Sequence, residues 1–135
     1  MISLPFRRGN QTILRGQRVF LRAPAMGDYA GWASLREQSR AFLTPWEPIW
    51  ADDDLTKAAY RHRVRRFEEE IANGTSYPFF IFRERDNRLV GGITLGNIRR
   101  GVGQSGMIGY WSGAPFAGKG YMTEALSLLI PFAFD

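Results

Sequence analysis

The chain contains no cysteine, and His62 is its only histidine. Without cysteine there are no disulfides, no thiolate metal ligands and no cysteine nucleophile. A histidine-based triad or a histidine-ligated metal would rest on His62 alone. That residue sits among arginines in "YRHRVRR" and reads as a solvated helix residue, so no metal site is expected. Long apolar runs are also lacking. The opening stretch "MISLPFRRGNQTILRG" has no uninterrupted apolar segment of signal-peptide length, and no later segment approaches the roughly 18 apolar residues of a membrane span. The expected compartment is the cytoplasm, with no membrane partner. No internal repeat or low-complexity tract divides the chain.

Hydrophobic residues at 44% and charged residues at 23% match ordinary globular composition rather than a disordered chain. The length of 135 residues holds one domain, 1–135, and not two. A formal net charge of +5 favours anionic partners such as a phosphorylated cosubstrate, RNA or an acidic protein surface, and does not choose among them.

"RVFLRAP" (Arg18 to Pro24) alternates Val19, Leu21 and Ala23 against Arg18, Phe20 and Arg22, which predicts a short strand stopped by proline. From Met26 to Arg40 the period becomes helical, with Tyr29, Trp32, Ala33 and Leu35 recurring and Asp28 in the first turn. "FLTPWEPIW" follows as a proline- and aromatic-rich ordered loop. A second helix is predicted from about Leu55 to Ala72, with Ala58, Ala59, Val64, Phe67 and Ile71 on its apolar face and Asn73-Gly74 as its stop. Its other face carries Arg61, Arg63, Arg65 and Arg66. This is either a solvated face paired with Glu68, Glu69 and Glu70 or an RNA-binding stripe. "YPFFIFRE", "RLVGGITLGNIR" and "SGMIGYWSG" predict three strands in an antiparallel meander. Their glycines at 91, 92, 96, 106 and 109 suggest bulges or close approach of a ligand. "GYMTEALSLLIPFAF" closes as a helix that Pro131 should kink near its end.

"GAPFAGKG" (Gly113 to Gly120) invites comparison with the phosphate loop of nucleotide hydrolases. Gly113, Gly118 and Lys119 fit G-x-x-x-x-G-K-[ST], but Gly120 stands where the Mg²⁺-binding hydroxyl belongs. No room remains after it for a strand bearing a second metal-binding carboxylate, and an ATPase is not expected. At a strand-to-helix junction, backbone N–H groups from Ala117 to Met122 can instead converge on an anion, helped by the helix N-terminus. Lys119 either extends over that anion or is solvated.

"MIGYWSGAPFAGKGYMTEAL" resembles the acetyl-CoA signature of the GNAT superfamily of N-acetyltransferases, in the branch that acetylates the N-termini (alanine or serine) of ribosomal proteins. "VFLRAP", "TPWEP" and "LVGGITLGNI" resemble that branch in the right order, so the resemblance covers nearly the whole chain. It implies an α/β (α+β) fold, a mixed and mostly antiparallel sheet flanked by helices. The family pattern [QR]-x-x-G-x-[GA], which holds the CoA pyrophosphate, falls on Ala117-Gly118-Lys119-Gly120-Tyr121-Met122. Ala117 replaces the usual arginine or glutamine, and Met122 the small last residue. The resemblance further implies acetyl-CoA as cosubstrate, with the strand at Ile108, Gly109, Tyr110 and Trp111 beside its pantetheine arm. Family members continue with another strand, a helix and a hairpin that supply the frequent general-acid tyrosine. The expectation is therefore a domain lacking its C-terminal part, marginal alone and self-associating through the open edge of "GMIGYW".

Acetyl transfer needs a neutral amine, a thioester within attack distance and donors for the oxyanion. By its place in the "PWEP" loop, Glu47 is the candidate base, against a reading as a loop-surface glutamate. Glu124 is a weaker candidate, better explained by the helix dipole. Tyr110 and Ser112 are candidate proton relays through water. Trp46, Glu47 and Trp50 are the candidate acceptor-pocket residues, although either tryptophan could equally anchor the loop. The acceptor is a protein N-terminal amine, ribosomal by resemblance, or a small-molecule amine. A CoA-binding or ribosome-associated module without turnover is the alternative.

Overall fold

A computed structural model describes residues 12–47, 50–99 and 105–133. Five strands form one sheet in the order β1-β2-β3-β4-β5: Ile13–Arg15, Val19–Arg22, Tyr77–Arg83, Leu89–Arg99 and Ser105–Ser112. All four pairings are antiparallel, and β3, β4 and β5 form the meander that their short connections predict. Helices α1 (Tyr29–Gln38), α2 (Arg40–Leu43) and α3 (Lys57–Asn73) connect β2 to β3, and α4 (Tyr121–Ala133) follows β5. Three-residue β1 is too short to show a periodicity and was not anticipated.

The sheet is covered on both faces, which corrects any reading of β2 as half-solvated. Val19, Leu21, Phe79 and Ile81 pack with Ala125 and Leu129 of α4. Phe20, Phe80 and Phe82 face the other way, toward Trp32 of α1 and Tyr60 and Val64 of α3. Phe20 stacks on Phe82, its cross-strand partner, with ring centroids 5.3 Å apart. "FFIF" can therefore be apolar at every position and still be a strand. In α3 the expected inward Ala58 is exposed, and Tyr60 is the buried residue. Its hydroxyl donates to the Ala25 carbonyl at 2.7 Å, and burial pushes that phenol well above its ordinary range. The Thr56 hydroxyl accepts from Ala59 N–H to start the helix, and Gly74 ends it in the left-handed conformation expected of it. Helix α4 runs through Pro131 to Ala133.

Two contacts set the approach to α4. Fully buried Ser39, between α1 and α2, accepts the Ala114 N–H at 2.8 Å. Next to it, Gly113 leaves the space that Leu35 fills; a Cβ there would lie 2.5 Å from Leu35 Cδ1. At the start of α4, Glu124 Oε2 accepts the backbone N–H groups of Arg18 (2.8 Å) and Val19 (3.2 Å), and Oε1 accepts Arg18 Nε (3.3 Å). The carboxylate thus ties α4 to the β1–β2 turn, which makes Glu124 an anchor between two elements, where the sequence suggested only a charge favourable to the helix dipole.

β5 pairs only with β4 among the described residues. Ile108 and Tyr110 are exposed, Tyr110 at 65%.

Burial alone would raise the Glu124 pKa, but the three hydrogen bonds outweigh it and hold the carboxyl below its ordinary 4.5. Its contribution to stability is complete above the unfolded value and is lost as pH falls through the folded one. Glu124→Gln should therefore cost about 1–3 kcal/mol at pH 7, in the range of hydrogen bonds to a charged group. Denaturant titrations across pH should show the gap between the two proteins narrowing as pH falls below the ordinary 4.5 and closing only once it has passed through the lower folded value.

Candidate active site

The junction between β5 and α4 is built from the turn Ala114–Phe116 and the loop 117–120. Gly118 (φ 74°) and Gly120 (φ 85°) take left-handed conformations that side-chain-bearing residues avoid. Ala117 N–H bends back to Ala114 C=O at 3.4 Å, so the cradle is one residue shorter than the sequence predicted. The first bond of α4 joins Glu124 N–H to Gly120 C=O (3.1 Å). From Gly118 to Thr123 no N–H has an acceptor among the described residues. Arg18 Nη1 takes the Lys119 carbonyl at 3.1 Å, and the Lys119 side chain is exposed. This is a chain of free donors at the positive end of a 13-residue helix, a fit for a phosphate group.

Beside the loop lies a cleft of about 530 Å³. It gathers Ala117, Gly118, Gly120, Tyr121 and Met122 from the anion side, Tyr110, Trp111 and Ser112 from β5, and Glu47 from the loop after α2. Ile108, Gly109, Lys119 and Trp50 do not line it. The Trp46 side chain lies outside the described part. Phe42, Leu43 and Phe116 also line the cleft, unannounced by any sequence pattern beyond their apolar character. Ser112 Oγ donates to the Gly113 carbonyl at 3.3 Å.

Glu47 is not a free surface carboxylate. Oε1 accepts Arg36 Nη2 (2.8 Å) and Trp50 Nε1 (3.0 Å), and Oε2 accepts Arg36 Nη1 (3.1 Å). Three of its roughly four lone-pair positions are used, and one on Oε2 is left for a substrate hydrogen. Trp50 thus serves as a loop anchor. Arg36 was missed by the sequence reading; it is separated from Glu47 by a helix end and a turn, a spacing outside the local ion-pair rule. Tyr121, in the first turn of α4, has its phenol pKa lowered chiefly by a hydrogen bond with Arg83, with Arg85 and Arg18 adding to the effect.

Of the two expectations at the β4 glycines, bulges are present, with register shifts opposite Ile81/Phe82 and between Gly96 and Arg99, while the close approach at Gly91 and Gly92 is by the protein itself. A Cβ at Gly92 would lie 2.5 Å from Trp111 Nε1, and one at Gly91 would run into the Trp111 carbonyl, so both positions are kept small for Trp111. On α3, Arg66 approaches Glu70 at 3.9 Å and Arg63 lies over Trp32 at 5.3 Å, so half of the four-arginine face is engaged by the protein itself. No group of three or more His, Asp or Glu able to hold a metal exists among the described residues, and no described helix is long and apolar enough to cross a membrane.

Comparisons with known proteins show the family. Over 122 residues the chain is 34% identical to the Bacillus subtilis (strain 168) protein named Probable N-acetyltransferase YjcK, covering 90% of this chain and 67% of that one. It is 28% identical over 95 residues to the Escherichia coli (strain K12) [ribosomal protein uS5]-alanine N-acetyltransferase, covering 70% of this chain and 49% of that enzyme. The chain therefore spans about two thirds of the first relative and half of the second. Mycobacterium smegmatis RimJ, solved in complex with CoA-disulfide, superposes with a TM-score of 0.79 at 31% identity, over 86% of this chain and 56% of that one. The Vibrio fischeri ribosomal-protein-S5-alanine acetyltransferase shares the fold with a TM-score of 0.82 at 22% identity, over 91% of this chain and 67% of that one. The family model for the acetyltransferase (GNAT) domain matches residues 18–135, from the arginine that braces the glycine loop to the end of the chain, and the chain belongs to that family.

Proposed function

We propose that this protein transfers the acetyl group of acetyl-CoA to the α-amine at a protein N-terminus, with ribosomal proteins as the first acceptors to test. The observation that carries the reading is the single cleft joining the free amides of the glycine loop to Glu47 along β5. The names of relatives that acetylate ribosomal proteins support it.

On this reading the pyrophosphate lies over the amides of Gly118 to Met122, and the acyl arm follows β5 past Ile108, Gly109, Tyr110 and Trp111. The amine nitrogen bonds to the acetyl carbon and the carbon–sulfur bond breaks. The amine proton passes to Glu47 through the open position on Oε2, and water relayed by Tyr110 and Ser112 protonates the departing thiolate. The acceptor class follows from charge. Glu47 is the one carboxylate that lines the cleft with the β5 residues among the described residues, and Arg36 pairs with it. Such a cleft has little to attract a polycation. It suits an amine with an appreciable neutral fraction near pH 7, and α-amines titrate near 7.7–8.0 against about 10.4 for lysine. Copies of the chain are expected to meet along the open edge of β5, and the α3 arginines to lie toward RNA when the acceptor is ribosome-bound.

CoA-thiol release measured against ribosomal-protein N-terminal peptides, polyamines and aminoglycosides should show turnover with the peptides. CoA binding without release from any amine would instead indicate a binding module. Replacing Glu47 by Gln should lower kcat/KM for the peptide by about a hundredfold, the low end for a lost general base, while leaving acetyl-CoA affinity intact. An equal loss of binding and rate would make Glu47 structural. Gly120→Val should weaken CoA binding about tenfold, or about 1.4 kcal/mol, because the backbone is left-handed there and a Cβ would lie 2.8 Å from Arg18 Nη2. Calorimetry that returns the wild-type affinity would remove the loop from the site. Size-exclusion chromatography over a concentration series reads the β5 pairing, and a monomer at all concentrations would refute it.

A further inference from the structure

We propose that Arg36 is a positioning residue that builds the acceptor side of the cleft by clamping the loop after α2 to the donor strand β5; this rests on the acetyl-transfer reading above. Arg36 reaches from α1 into the angle between the two. Its side chain is only 12% exposed, and both terminal nitrogens are committed to the Glu47 carboxylate. The guanidinium lies over the rings of Trp50 (4.5 Å) and Trp111 (4.8 Å). Arg40 lies over Trp50 as well, also at 4.5 Å. Trp111, Arg36, Trp50 and Arg40 thus form a column of alternating aromatic and cationic groups running from β5 through α1 to the loop and α2. Trp50 returns its own N–H to the same carboxylate, closing a ring of contacts around Glu47.

The column is made at a cost, because Arg36 Nε is buried with no hydrogen-bond partner among the described residues. That cost shows that the guanidinium is placed for its face and its two Nη atoms. Two of its partners, Glu47 and Trp111, line the cleft, and the third, Trp50, tethers the loop that carries Glu47. Lysine cannot substitute. It has no plane to stack and no fork to grip both oxygens. With Arg36 in place, one lone pair of Glu47 is left open in a fixed direction; without it, Glu47 and Trp50 have no tie to β5.

The test uses the full chain with Arg36→Met and Arg36→Lys, each also in a Glu47→Gln background. Arg36→Met should raise KM for the acceptor peptide at least about tenfold and leave acetyl-CoA affinity within about twofold, and Arg36→Lys should recover only part of the loss. Since Arg36 acts through Glu47, Arg36→Met should add little to Glu47→Gln. Tryptophan emission, assigned by difference against Trp50→Phe, should shift to the red in Arg36→Met as Trp50 is released. The proposal is overturned by an unchanged acceptor KM, by an equal loss of acetyl-CoA affinity, or by full additivity with Glu47→Gln. Should the wild-type protein acetylate no amine, the acetyl-transfer reading fails, and the clamp is then judged on Trp50 emission, where an unshifted spectrum refutes it.

Discussion

The grip of Glu124 on the backbone N–H groups of Arg18 and Val19 is the contact on which the glycine loop depends. A helix N-terminus presents phosphate-binding amides only if it is held at a fixed angle to the sheet, and this carboxylate holds it. Placing an anion at the start of a helix whose amides are left free for another anion looks self-defeating. The conflict is removed because Arg18 neutralises Glu124 from the sheet side. The same guanidinium takes the Lys119 carbonyl, turning that acceptor toward Arg18 and away from the cleft. One arginine therefore both cancels the competing charge and braces the loop, and the amides from Gly118 to Thr123 are left without an acceptor among the described residues.

The opposite end of the junction is fixed by different physics. Leu35 packs into the space that Gly113 leaves, and Ser39 accepts the next N–H. Both belong to the segment that also carries Arg36. The glycine loop and the loop that carries Glu47 are thus referred to one piece of chain, from Leu35 to Ser39 at the end of α1. Reaction geometry is set to a fraction of an ångström only when both reactants are held to the same body. A shift of α1 would move the two together, and the distance between them would survive.

What could be read in the sequence was what is encoded locally. Gly74 announced the end of α3, and Gly118 and Gly120 a glycine-built junction before α4, because a backbone conformation leaves its mark on the residue that adopts it. The contacts of Arg36 leave no such mark. They join a helix, a loop and a distant strand through side-chain planes, and the helical spacing of Tyr29, Trp32, Ala33 and Leu35 gives no sign of them. Glycines 91 and 92 were legible as sites of close approach but not as to what approaches, since the neighbour, Trp111, is set by the β4–β5 register. Tyr60 was passed over for Ala58 because a tyrosine can lie inside only when its hydroxyl has a partner, and the Ala25 carbonyl that supplies it lies far away in sequence.

The basic balance of the chain resolves into two separate features once the ion pairs are set aside. Arg22, Arg36, Arg40 and Arg83 are each committed to a carboxylate at 2.7–2.8 Å. Of the cations left, Lys119 and Arg85 stand near the start of α4, where Arg85 acts on Tyr121 beside the ion-paired Arg18 and Arg83, and Lys57, Arg61 and Arg65 lie along α3. These two groups lie on opposite faces of the sheet, because α4 packs on one side and α3 on the other. A sheet and its two side-chain layers separate them by more than the screening length of about 8 Å in physiological salt. A ligand phosphate held at the glycine loop therefore feels the first group and not the second, and whatever the α3 row attracts is bound independently of the cleft.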